Sequence, residues 1–159
     1  MKQLEAPGVC RIIGIGNRYR SDDGVGPRAI DLLRNKRLSL VELYEAGDDL
    51  TGLIQTWSKN DSVICIDAVQ SDSDVGRIHR LNLLSDKLDN ISLRFSTHSF
   101  DPVQVARLAT QLNLEPSKFY LYGIEADNFS WGEELTPEVQ KSMKKVVDEI
   151  VLYCNLEIS

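Results

Sequence analysis

Ser62-Val63-Ile64-Cys65-Ile66 is apolar after its first residue and stops at Asp67. A run this short and this rich in β-branched side chains reads as a strand buried on both faces. The next run with strand character, residues 76–81 (GRIHRL), alternates polar and apolar like a half-exposed strand. Only about eight residues separate the two, whereas a parallel crossover takes about a dozen or more. The later strand is therefore expected to run antiparallel to the earlier one.

Working outward, residues 9–15 (VCRIIGI) form a buried first strand that ends in glycines, and residues 17–24 a polar loop. Pro27 suits the first position of a helix that Ala29, Ile30, Leu32 and Leu33 carry to about residue 35. Residues 38–44 are expected as strand two and residues 50–57 as a short helix. Residues 91–95 read as extended chain or loop, residues 102–112 as a helix and residues 119–124 as the last strand. Residues 137–153 form a long amphipathic closing helix. The sum is a single α/β domain over residues 1–159, a three-layer αβα sandwich. Its twisted sheet is mostly parallel, with about five strands of which one is antiparallel.

Composition narrows the function. A hydrophobic share of 42% and a charged share of 26% are those of an ordinary globular protein. No apolar stretch is long enough to span a bilayer, and the first eight residues lack the apolar segment of a secretory signal. A net charge of −6 disfavours nucleic acid as the main partner. The three cysteines Cys10, Cys65 and Cys154 are widely spaced and form no CxxC pair. They fit a reducing cytoplasm, where a free cysteine acts as a small buried hydrophobe.

In open α/β sheets ligands bind beyond the carboxyl ends of the parallel strands. Asp22 and Asp23 follow strand one, Glu45 follows strand two, Asp67 closes strand three and Glu125 follows the last strand. His98, one of two histidines, precedes the helix at Pro102. Asp22 and Asp23 also suit a helix start, where carboxylates meet unpaired N–H groups. Asp67 is harder to explain structurally, because a carboxylate closing an apolar strand needs a partner or solvent. His79 lies on the exposed-looking strand and is read as non-functional. Carboxylates joined by an imidazole make an oxygen/nitrogen site suited to zinc, nickel or iron, although the spacing carries no local metal signature.

Other chemistries find less support. Gly14-Ile15-Gly16 opens like a dinucleotide fingerprint, but the third glycine would fall at Tyr19. No G-x-S-x-G elbow is present, and Cys65 lies mid-strand with nothing to activate it.

The ordered blocks GIGNRYRSDDGVG (14–26), IDAVQS (66–71) with GRIHRL, STHSF (96–100), YGIE (122–125) and FSWGEELTPEV (129–139) resemble the hydrogenase maturation proteases. These blocks span nearly the whole chain. The resemblance implies an endopeptidase that removes a C-terminal extension from a nickel–iron hydrogenase large-subunit precursor after nickel insertion. It places the metal ligands, and with them the catalytic centre, on Asp23, Asp67 and His98. The nickel is supplied by the precursor. Asp22 or Glu45 would act as general base or steady the ligands. The chain departs from the family where Glu45-Ala46-Gly47 stands for D-G-G, and where Ser99-Phe100-Asp101 follows the histidine. Asp101 is expected to cap the following helix. Phe100, Phe129 and Trp131 are candidate apolar contacts for the precursor, with core packing an equal alternative for each. A non-catalytic nickel-binding maturation chaperone would use the same three ligands.

Overall fold

The computed structural model describes residues 5–47, 49–96 and 101–157. Six strands make one sheet: β1 (Cys10–Ile15), β2 (Val41–Ala46), β3 (Ser62–Gln70), β4 (Ile78–Asn82), β5 (Arg94–Phe95) and β6 (Lys118–Glu125). The order is β2-β1-β3-β6-β4, with β5 beside the end of β3. The first four strands in that order are parallel. β4 runs antiparallel to β6, and β5 antiparallel to β3.

Four expectations change. β4 runs opposite to β3, as its short connection requires, but its neighbour is β6. The β3–β4 link (residues 71–77) thus carries the chain past the place that β6 later fills. Asp67 does not end β3, which continues through Ala68, Val69 and Gln70. The sheet has six strands rather than five because residues 94 and 95 pair with this extension. Strand two is shifted towards the carboxyl side, so Glu45 lies inside it.

Three helices cover the sheet: α1 (Val25–Arg34), α2 (Pro102–Gln111) and α3 (Pro137–Glu157). α3 buries Val139, Met143, Val146, Val147, Ile150 and Cys154, a spacing of three and four that makes one apolar stripe. This stripe packs with α1 and with Ile12, Ile64 and Ile66 on one face of the sheet. Ile13, Val63 and Cys65 point the other way, towards α2 and the 3-10 turn Thr51–Gln55. That turn is what forms where a short helix was expected. Pro27 sits at the third residue of α1 rather than the first, still within the turn whose N–H groups lack helical partners. Asp101 caps α2 as expected: its carboxylate accepts the Gln104 N–H at 2.9 Å while the Gln104 side chain accepts the Asp101 N–H at 3.0 Å.

One close approach positions the site. A Cβ on Gly26 would run into the backbone oxygens of Ile15 and Ile66. The first turn of α1 therefore rests directly on β1 and β3, which sets Asp23 against their carboxyl ends.

Candidate active site

Two adjacent carboxylates on the loop after β1 are used in opposite ways. Asp22 is fully buried and accepts hydrogen bonds from the N–H of Thr136 at 2.8 Å, its hydroxyl at 3.2 Å and the N–H of Asn128 at 3.2 Å. It ties the β6–α3 loop to the β1–α1 loop. Asp23 turns towards the sheet. One of its oxygens accepts the Asn17 N–H at 2.9 Å, and the other, Oδ1, is buried with no partner among the described residues. Just before the two carboxylates, Ser21 adopts φ 51°, a left-handed conformation that a non-glycine residue rarely takes. Gly16 is required for space as well as conformation. At φ 129°, its Cβ position is filled by the Asp23 carbonyl oxygen.

Asp67 lies on β3 with 0% exposure, and neither carboxylate oxygen has a hydrogen-bond partner among the described residues. Burial pushes its carboxyl well above the usual carboxylate range, and the negative charge of Asp23 pushes it further. The Ala68 N–H and the Ser96 hydroxyl are near enough to offset part of that rise, without the geometry of a hydrogen bond. Buried polar atoms are normally paired. Among the described residues, three carboxylate oxygens on two like-charged side chains have neither a hydrogen-bond partner nor a cation.

His98, like Phe100, lies outside the described residues. Among those described, no group of three or more His, Cys, Asp or Glu side chains converges to hold a metal. The described part of the expected triad is the Asp23–Asp67 pair, whose hard, unpaired oxygens suit a divalent cation.

The two auxiliary candidates are engaged elsewhere. Asp22 serves as the clamp just described. Glu45 pairs with Arg18 and, at 3.2 Å, with Arg34, while Arg18 also holds Asp31. The hydrogen bond from Arg18 keeps the Glu45 carboxyl below the usual range against the opposing effect of burial. This network closes a cleft of about 360 Å3 lined by Gly16, Asn17, Tyr19, Glu45 and Gly47, next to Asp23.

One feature of this rim was not read from the sequence. His79 is half-buried, and its Nε2 lies 2.8 Å from Glu125 Oε2. Glu125 also accepts the Ser71 N–H and, at 2.9 Å, the Ser71 hydroxyl. The pair pins the turn after β3. His79 and Asp67 are both register partners of Gly123, so they share a face of the sheet. The alternation of GRIHRL held that signal, but only the pairing with β6 reveals it.

The fold and this rim define an α/β protein with a buried carboxylate pair at the carboxyl end of a parallel sheet. Residues 28–152 match the HycI hydrogenase maturation protease family profile. The chain belongs to the hydrogenase maturation protease family, a family of peptidases. The matched span includes Asp67 and His98 and begins just after Asp23. The hydrogenase expression/formation protein HupD of Thiocapsa roseopersicina is 26% identical over 149 residues, 89% of this chain. The aligned region spans 66% of that relative's length. The fold matches the [NiFe] hydrogenase maturation protease HybD from Thermococcus kodakarensis, with a TM-score of 0.73 and 22% identity. That match covers 92% of this chain and 99% of the other. It also matches a hydrogenase 2 maturation peptidase from a Thaumarchaeota archaeon, with a TM-score of 0.68 and 26% identity, over 94% and 99% of the two chains. No helix of the described residues is long and apolar enough to cross a membrane.

Proposed function

We propose that this protein is an endopeptidase that removes the C-terminal extension of a nickel–iron hydrogenase large-subunit precursor once nickel is in place. The observation that carries this reading is the Asp23–Asp67 pair, with three buried carboxylate oxygens that have no hydrogen-bond partner among the described residues. Such a pair is costly in the free protein. A cation brought by the substrate would relieve that cost, and so would couple docking to the presence of nickel.

In this account the nickel is part of the substrate. Asp23, Asp67 and His98 offer it two carboxylates and an imidazole, and the ion polarises the scissile carbonyl. Hydrolysis adds water's hydroxyl to the acyl carbon and its proton to the leaving amine. Because Asp22 and Glu45 are already hydrogen-bonded, each acts by holding loops rather than as the base. The three thiols, all free and buried, suit a reducing cytoplasm as the place of work.

That engagement of Asp22 and Glu45 also favours a second reading, a nickel-binding maturation chaperone that holds the precursor without cutting it. One experiment separates them: incubate nickel-loaded and nickel-free precursor with the protein and weigh the products by mass spectrometry. The peptidase reading expects a discrete C-terminal loss in the nickel-loaded sample alone. Nickel-dependent complex formation with no loss of mass would favour the chaperone.

A further inference from the structure

Trp131 is 79% exposed and Tyr19 59% exposed, yet neither sits on a loose loop. The Gly132 N–H donates to the Tyr19 carbonyl at 2.8 Å, and the Ser21 N–H donates to the Gly132 carbonyl at 2.8 Å. The Ser21 hydroxyl holds the Ser130 carbonyl at 2.9 Å, and the Asp22 carboxylate holds Asn128 and Thr136. A buried charge and a left-handed serine are thus spent on fixing a loop that presents an indole to solvent. Phe129, by contrast, packs against the core, so of the described aromatic candidates for partner contact only Trp131 is exposed.

Arg20 follows Tyr19 in the chain and reaches across to Trp131. Its guanidinium stacks over Trp131 at 5.8 Å from the ring centre, and its Nε donates to the Phe129 carbonyl at 3.3 Å. Among the described residues it has no acidic partner, so donors remain for a carbonyl or carboxylate. Asp127, Glu133 and Glu134 on the same loop are exposed, which turns away phosphate-rich surfaces. The patch is continuous with the Asp23 cleft, because Tyr19 lines both, and Asp23 begins three residues after Arg20.

We infer that Tyr19, Arg20 and Trp131 form the docking platform for the precursor polypeptide flanking the cut bond. An apolar side chain of that segment rests on the two rings, and a backbone carbonyl accepts from Arg20. This rests on the peptidase reading and adds the surface that recognises the substrate. A rigid aromatic pair beside a cation is the composition that carries binding at protein interfaces.

The test is a steady-state comparison of cleavage of nickel-loaded precursor by the wild type and by Tyr19→Ala, Trp131→Ala, Trp131→Phe and Leu156→Ala, with binding to the same precursor measured by biolayer interferometry. Leu156 is similarly exposed, but it lies near the end of α3, where the adjacent Glu157 pairs with Lys118 at the amino end of β6, the end of the sheet away from the rim. Trp131→Ala should raise KM by about tenfold or more with kcat little changed, Trp131→Phe should restore most of the loss, and Leu156→Ala should behave as wild type. A KM for Trp131→Ala within about twofold of wild type would overturn the platform and leave the peptidase reading standing. If the wild type binds but does not cut, loss of binding in Trp131→Ala keeps the platform while the peptidase reading falls. Wild type that neither binds nor cuts overturns both.

Discussion

Replacing Asp67 by asparagine should make the metal-free protein more stable, although it removes a residue central to the proposed site. The carboxylate is fully buried, with neither oxygen hydrogen-bonded among the described residues, beside a second negative charge on Asp23. An unsatisfied buried polar group costs about 1–3 kcal/mol, and a charged one more. Asparagine keeps the shape, removes the repulsion and offers an N–H to the free oxygen of Asp23. The expected gain is about 1–3 kcal/mol at neutral pH, or roughly 2–10 °C in Tm for a chain of this length. The folded-state pKa of Asp67 is raised, so its contribution is most favourable below the unfolded value of about 4 and is lost as pH rises through the folded value. The advantage of Asp67→Asn should therefore be largest at alkaline pH and close near pH ~4. Thermal melts of both proteins with a chelator, across that range, test this. A variant less stable than wild type at neutral pH would refute the picture of an uncompensated carboxylate.

Asp22→Ala should do the reverse. It strips the acceptor from three backbone N–H groups and a hydroxyl, costing about 2–5 kcal/mol, read as a lowered urea midpoint; an unchanged midpoint would contradict the clamp. Asp61 governs acid stability. Burial would raise its carboxyl, but the N–H groups of Ser58 and Val9 and the Arg11 guanidinium outweigh that and hold it below the usual range. Its stabilisation is present above pH ~4 and lost as pH falls through the lower folded value, so Asp61→Asn should flatten the acid limb of a stability–pH curve. Gly16→Ala has no room for its methyl against the Asp23 carbonyl. It should displace Asp23 and cut precursor cleavage by about a hundredfold or more, a displacement of about 1 Å being enough, as gel quantification would show.

What the sequence disclosed followed from local rules. The apolar run before Asp67, the stripe of α3 and the Asp101 cap of α2 each depend on neighbours a few residues away. The direction of β4 also followed, because chain length alone forbids a parallel crossover there. Its neighbour did not follow: a short link fixes direction but leaves open which strand fills the intervening place, and β6 arrives some forty residues later. The same limit applied to the rim. Asp67 was recognisable because a charge interrupts an apolar strand, and that interruption also made the strand look finished when it runs on to Gln70. The separate duties of Asp22 and Asp23 turn on contacts with the distant β6–α3 loop and with Asn17, and the His79–Glu125 pair turns on sheet register. Neither leaves a local pattern.

The most direct test of the central claim is single-turnover cleavage of nickel-loaded precursor by wild type and by Asp67→Asn at equal concentration, followed by intact mass. The account predicts that the wild type releases one C-terminal fragment and that the better-folded Asp67→Asn protein releases none over the same period. Release of the same fragment at a comparable rate by Asp67→Asn would contradict it, because the unpaired carboxylate would then have no part in the reaction.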